Sequence, residues 1–160
     1  VSRNTIKTAT MGSMYGISNR KFASMIDEKD IIKASDVLRT VREFFGVGIL
    51  GSKLKRENSQ TGAISNFFGR PLFPGSDAAP SILVSHYIQS TGADVSCTGF
   101  YLLIRELKNA GIVFSPLFLI HDAIILDIHP EHLKAAKKII KSGIKIEKMG
   151  IEFPLSITTQ

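Results

Sequence analysis

The chain has 160 residues, 44% apolar and 21% charged, which is ordinary usage for one compact domain or two small lobes and excludes a disordered chain. Lys and Arg number 20 against 14 Asp and Glu, so the formal net charge is +6, a lean towards a polyanionic partner. The single cysteine, Cys97, excludes an internal disulfide framework and a multi-cysteine zinc site, and no apolar run approaches the roughly 18–20 residues that cross a bilayer.

The composition shifts near residue 60, and residues 1–58 read as helical. Residues 2–15 hold no proline and only Gly12 as glycine, and Gly16 follows as a stop, so the first helix is expected there. A second helix is expected after Ser18. A third is expected over about Ser35–Phe45, with Val37, Leu38, Val41, Phe44 and Phe45 on one face and Gly46 at its end. Residues 46–79 are rich in Gly, Ser, Asn and Pro and read as loops with a short hairpin over Gly62–Phe73. Pro80 suits the first position of a long helix reaching Asn109, with Gly111 as its cap. Gly92 and Gly99 lie inside that helix at about 1 kcal/mol each relative to Ala, so close backbone packing is expected there. Cys97 is expected on the inner face as inert core.

Pro116–Ile120 and Ala123–Ile128 are apolar, β-rich runs on either side of His121-Asp122, which predicts a buried strand–turn–strand with the polar pair at its tip. Pro130 opens an amphipathic helix to about Ser142. Its Leu133, Ala136, Ile139 and Ile140 are expected inward, and Lys134, Lys137, Lys138 and Lys141 outward. Short strands near Ile144–Glu147 and Ile151–Ile157 complete an α+β chain whose second half is an antiparallel sheet with packed helices.

Three groups of residues could carry chemistry. Arg3, Lys7, Met11 and Tyr15 recur every four residues and form one stripe on a helix. Two cations followed by a large flexible side chain and an aromatic suit a ligand with a phosphate end and a planar end, as in a nucleoside triphosphate. The same spacing also describes a solvated basic face ending in a Met–Tyr core edge. Asp122 at a buried tip needs a cation or metal, and Mg²⁺ is held by one or two carboxylates plus substrate phosphates. A turn residue beside a satisfied histidine is the alternative. Gln89, with Gly92 three residues on, offers an amide beside an approachable helix surface, or simple helix packing.

In chain order these groups resemble family A DNA polymerases. Arg3-x3-Lys7-x7-Tyr15-Gly16 resembles motif B of the fingers helix, and Asn66–Phe73 looks like the hairpin after the fingers. Ile88-Gln-Ser-Thr-Gly-Ala-Asp94 is similar to the palm helix motif, and Ile120-His-Asp-Ala123 to motif C, 32 residues beyond Gln89 at His121. Met149–Ile157 is similar to the last palm strands. The resemblance covers nearly the whole chain and implies the C-terminal portion of a DNA polymerase I-like, phage-type enzyme, with fingers over 1–60 and palm over 61–160.

The resemblance implies roles for each position. Arg3 and Lys7 would hold the triphosphate of the incoming dNTP, Met11 would lie against its base and sugar, and Tyr15 would close the pocket near the templating base. Gln89 would touch the minor groove at the primer terminus with His121 beside it, and Arg70 the DNA backbone. Asp122 would bind the catalytic Mg²⁺ pair, with Lys7 and Asp122 the catalytic residues. The expected partners are primer-template DNA and dNTP inside the cell, with no membrane. Motif A, which carries the other metal-binding Asp, and the thumb would come from an upstream segment or a second polypeptide, so the isolated chain is expected to be inactive. Two departures stand out: Ala123 replaces an acidic residue of motif C, and Met11 replaces a usual Phe or Tyr. Met11 is reminiscent of single-subunit RNA polymerases, so a subunit of such an enzyme is the alternative, as is a non-catalytic DNA-binding remnant.

Overall fold

The computed structural model describes residues 2–120, 122–148 and 150–155, with 154 and 155 described through their backbone. The chain condenses as two compact units, Val1–Ser90 and Thr91–Gln160, whose boundary falls inside one long helix. The compositional shift near residue 60 falls at the end of the fourth helix, within the first unit.

The first unit opens with α1 (Arg3–Met14), α2 (Asn19–Met25) and α3 (Ile31–Phe44). Each begins on a side-chain cap that satisfies otherwise orphaned N–H groups. Ser2 accepts from Thr5, Ser18 from Lys21, and Asp30 from Ile32 and Lys33. The Asp30 cap starts α3 one turn before the expected Ser35. The three helices meet around Phe22 and Leu38, both fully buried, and Ala9, Ala23 and Ala34 allow the close approach. Phe44 and Phe45, expected inward, are instead exposed, at 82% for Phe44. The chain leaves the helix through the left-handed Gly46 (φ +61°), so no later turn covers them.

Residues 47–61, where the helical reading of 1–58 and the loop reading of 46–79 overlap, form α4 (Val47–Thr61), so the helical reading holds there. Its glycines disfavour helix, but Gly51, Leu54 and Asn58 make a buried face. A Cβ on Gly51 would stand 3.2 Å from Pro80 Cβ, so the glycine is what admits the neighbouring helix α5 (Pro80–Asn109). Burial outweighs local propensity here. The expected hairpin forms as β1 (Ile64–Ser65) and β2 (Pro71–Leu72), antiparallel. Leu54, Ile64, Ala78, Leu83 and Val84 build a second cluster under it. Asn58 Nδ2 donates to Gly75 O at 2.7 Å, and Lys55 Nζ to Ala78 O at 3.1 Å, so α4 pins the chain that leads into α5.

The helix α5 spans the predicted Pro80–Asn109, but two expectations along it fail. Gly92 is exposed with nothing near a hypothetical Cβ, and Cys97 is exposed rather than core; Gly99 is buried. In the second unit, Leu103 and Leu107 of α5 pack with Ile112, Ala136, Ile140 and Ile144. Against this core lies a hairpin of β3 (Phe114–Ile120) and β4 (Ala123–Ile128). A short 3₁₀ turn (Pro130–His132) leads into α6 (Leu133–Ser142), and β5 (Ile144–Lys148) pairs with β6 (Ile151–Leu155).

The second half therefore keeps the expected α+β class with a different sheet. Among the described residues it holds two separate two-stranded hairpins rather than one sheet. The strand pair expected to be buried is open on one strand. Ile124, Leu126 and Ile128 of β4 alternate onto the core, whereas Leu117, Phe118, Leu119 and Ile120 of β3 are about half-exposed. The register shifts between Pro116 and Phe118, where proline offers no N–H to the ladder. Leu133, at the first turn of α6, is also more exposed than its expected inward position. The β6 strand runs to Leu155, and the expected continuation to Ile157 lies outside the described residues.

Phe22→Ala removes a side chain at full burial and should cost about 3–5 kcal/mol in urea unfolding followed by circular dichroism. Phe44→Ala, at a position 82% exposed, should change it by less than about 0.5 kcal/mol.

Candidate functional site

The face of α1 opposite its buried Ala9 and Ser13 presents Arg3, Lys7, Met11 and Tyr15, all exposed. The helix closes with Tyr15 N–H donating to Met11 O at 3.1 Å and Ile17 N–H to Gly12 O at 2.8 Å. Gly16 sits between them at φ +72°, so the end is a Schellman turn. A Cβ on Gly16 would lie 2.6 Å from Ser81 Cβ, so the position needs glycine both for its backbone and for space. Arg42 of α3 donates from Nη2 to Ile17 O at 2.6 Å, and Asn19 Nδ2 donates to Ser35 Oγ at 2.8 Å. These two bonds tie the turn and the start of α2 to α3.

The turn sends α2 back beside α1. Between them lies a cavity of about 630 Å³, bordered on α1 by Asn4, Lys7, Met11 and Tyr15 and on α2 by Lys21 and Met25. Three of the four stripe residues line it, and Arg3 does not. Lys21 and Met25 escaped the sequence reading. A signal was present: Lys7-x3-Met11 on α1 is matched by Lys21-x3-Met25 on α2, and equal spacing puts each pair on one helix face. No carboxylate is among the lining residues. The cavity therefore joins two ammonium groups to two thioethers and a phenol ring. That combination suits an anionic ligand with a flat apolar part.

A second constellation in the same unit joins Arg70 to Gln89. Asn66, buried at the hairpin turn, accepts on Oδ1 from the N–H groups of Phe68 (3.0 Å) and Arg70 (2.9 Å). This folds Asn66–Arg70 tightly, with Gly69 at φ +84°. The Arg70 guanidinium then donates to Ser90 O at 3.1 Å, the carbonyl next to Gln89. Gln89 is exposed on α5 and donates from Nε2 to Ser85 Oγ at 2.8 Å, which orients its amide.

Asp122 belongs to the second unit, exposed in the turn that joins Ile120 to Ala123. His121 lies outside the described residues. Among the described residues there is no group of three His, Cys, Asp or Glu side chains that could hold a metal ion. As a single exposed carboxylate, Asp122 could supply one oxygen ligand to a Mg²⁺ ion, whose other ligands would have to come from elsewhere. No described helix is long and apolar enough to cross a membrane.

No protein-family model matches the chain. Among solved structures it is similar to the POL domain of Pol1 from M. smegmatis, determined in complex with DNA primer-template and dNTP. The TM-score is 0.70 at 18% sequence identity, over 88% of this chain and 26% of that one. The chain has a polymerase-like α+β fold. It spans about a quarter of the length of the polymerase chain it resembles.

Gly16→Ala places a side chain in the left-handed region, against Ser81. It should destabilise the chain by at least about 1–2 kcal/mol in urea unfolding, whereas Gly92→Ala, in open space on a helix, should stabilise it by a few tenths up to about 1 kcal/mol.

Proposed function

We propose that the chain is the fingers and palm portion of a template-directed DNA polymerase of the family A type. It would add dNTPs to a primer 3′ end once motif A and the thumb are supplied by an upstream segment or a second polypeptide. The observation that carries this reading is the acid-free cavity of Lys7, Met11, Tyr15 and Lys21, on a fold shared with a polymerase POL domain.

Each residue then has a task. Lys7 is a point charge for the triphosphate, and Arg3, one turn outside the cavity, reaches the same phosphates with a two-pronged guanidinium. Met11 and Tyr15 meet the base and sugar. Gln89, its amide oriented by Ser85, reads the minor groove at the primer terminus. Arg70 follows the DNA backbone. Asp122 supplies one carboxylate to a Mg²⁺ pair, which neutralises the developing phosphoryl charge when bound. Ala123 removes a secondary acid and leaves that ligand in place. Met11, where a DNA polymerase commonly has an aromatic, favours a second reading as part of a single-subunit-type RNA polymerase.

Primer extension with Mg²⁺ tests the reading on material purified with every polypeptide that accompanies it. Extension with dNTPs is expected, and the isolated chain should show none. Lys7→Gln should raise the KM for dNTP about 10- to 100-fold, the worth of one charge-assisted contact. Asp122→Asn should lower kcat about 10³-fold, corresponding to several kcal/mol of lost charge stabilisation. Preference for rNTPs would select the RNA polymerase reading, and unchanged activity in Asp122→Asn would sink both.

A further inference from the structure

Helix α6, Leu133–Ser142, carries Lys134, Lys137, Lys138 and Lys141 and no carboxylate. Its apolar side is committed to the core of the second unit, where Ala136 and Ile140 pack with Leu103 and Leu107. Lys134, Lys138 and Lys141 are exposed and Lys137 is half-buried. Among the described residues none of the four has an ion-pair partner. Three acids of this unit lie against other basic groups, Glu106 against Arg105 among them. Glu152 holds Lys145 at 2.6 Å, a hydrogen bond that raises the pKa of that ammonium, and Glu131 lies 3.9 Å from His129.

This arrangement disfavours the helix by itself. Lys134 faces Lys137 and Lys138 at i+3 and i+4, and both of these face Lys141, so like charges repel along one side. A helix that needs only solubility alternates sign on its wet face. Concentrated positive charge with no internal counter-charge fits an external polyanion. The row extends about 10 Å along the helix axis. Over that length duplex DNA presents one phosphate charge per ~1.7 Å.

We propose that the lysine face of α6 is a sequence-independent contact for the phosphate backbone of duplex DNA, made by residues other than those of the candidate site. Lysine ammoniums are flexible point charges suited to a backbone and not to reading base edges. An anionic membrane is the less suitable partner. An interfacial helix inserts its apolar face into lipid, and that face of α6 is already buried in protein.

The test is a fluorescence-anisotropy titration of a short blunt duplex by the full chain, with its co-purifying polypeptides, without dNTP or Mg²⁺, over a range of KCl. The variant Lys134→Gln/Lys137→Gln/Lys138→Gln/Lys141→Gln should lower the slope of log K against log salt by about 3 to 4, close to 0.9 per lost phosphate contact. Lys and Gln have similar helix propensity, so the variant should keep the parent circular dichroism spectrum. The corresponding fourfold Lys→Arg variant should keep the parent slope. An unchanged slope in the Gln variant overturns the proposal. So does an unchanged duplex slope with lost binding to phosphatidylserine-containing vesicles, which would assign the face to a lipid surface. Because neither nucleotide nor metal is present, the outcome stands whether or not the chain polymerises.

Discussion

A left-handed backbone turn at Gly16, with no room for a side chain beside Ser81, bends the chain from α1 into α2, and the candidate cavity is built on that bend. If α1 ran on, Lys21 and Met25 would lie further along the same rod as Lys7 and Met11. With the turn, the two Lys-x3-Met faces border one space. The turn is held from behind by Arg42 on Ile17 O and by the Asn19–Ser35 bond, so α3 fixes the angle between the other two helices. Phe22 and Leu38 supply the apolar core that makes those polar bonds worth forming in one geometry.

The second unit is organised by a different constraint. Its core takes alternate residues of β4 and Phe114 at the start of β3, so the rest of β3 carries a row of large apolar side chains, Leu117 to Ile120, that stay about half-exposed among the described residues. A two-stranded ribbon with one dry face is marginal by itself and gains from a further strand or covering segment. Asp122 rides on the turn of this ribbon, and its carboxylate is therefore placed by a β-hairpin and not by the helices that carry Lys7 and Lys21. A phosphoryl-transfer reading assigns the two sets complementary tasks, with cations for the triphosphate and a carboxylate for metal.

The net charge of +6 is not spread evenly. One positive concentration lies in a concave, acid-free cavity bordered by thioethers and a phenol, which suits a discrete ligand with a planar part. Another lies on the convex face of α6, where no aromatic interrupts the lysines, which suits an extended backbone of repeating charge. The same side-chain chemistry thus stands in two settings, separated by surface shape and by the neighbours of each ammonium.

Local signals made much of the architecture legible. Pro80 and Asn109 bound α5, Ser18 begins α2, and the flanking of His121-Asp122 by β-rich runs defines the β3–β4 hairpin, because caps, prolines and residue periodicity act within a few residues of chain. The Arg3–Tyr15 stripe was readable for the same reason. Other features depended on contacts distant in sequence. Residues 47–61 carry helix and loop signals together until Gly51 is seen to admit Pro80 and Val84, whose packing outweighs the cost of glycine in a helix. Cys97 and β3 look like core by composition and are exposed, because burial needs a covering partner as well as an apolar side chain. The sequence by itself determined which side chains share a face of α1, since 3.6 residues per turn leaves no choice. Only the tertiary structure decided that Lys21 and Met25 complete the cavity while Arg3 stays outside it, because the angle between α1 and α2 is set by the Gly16 turn and the packing of α3, not by either helix alone.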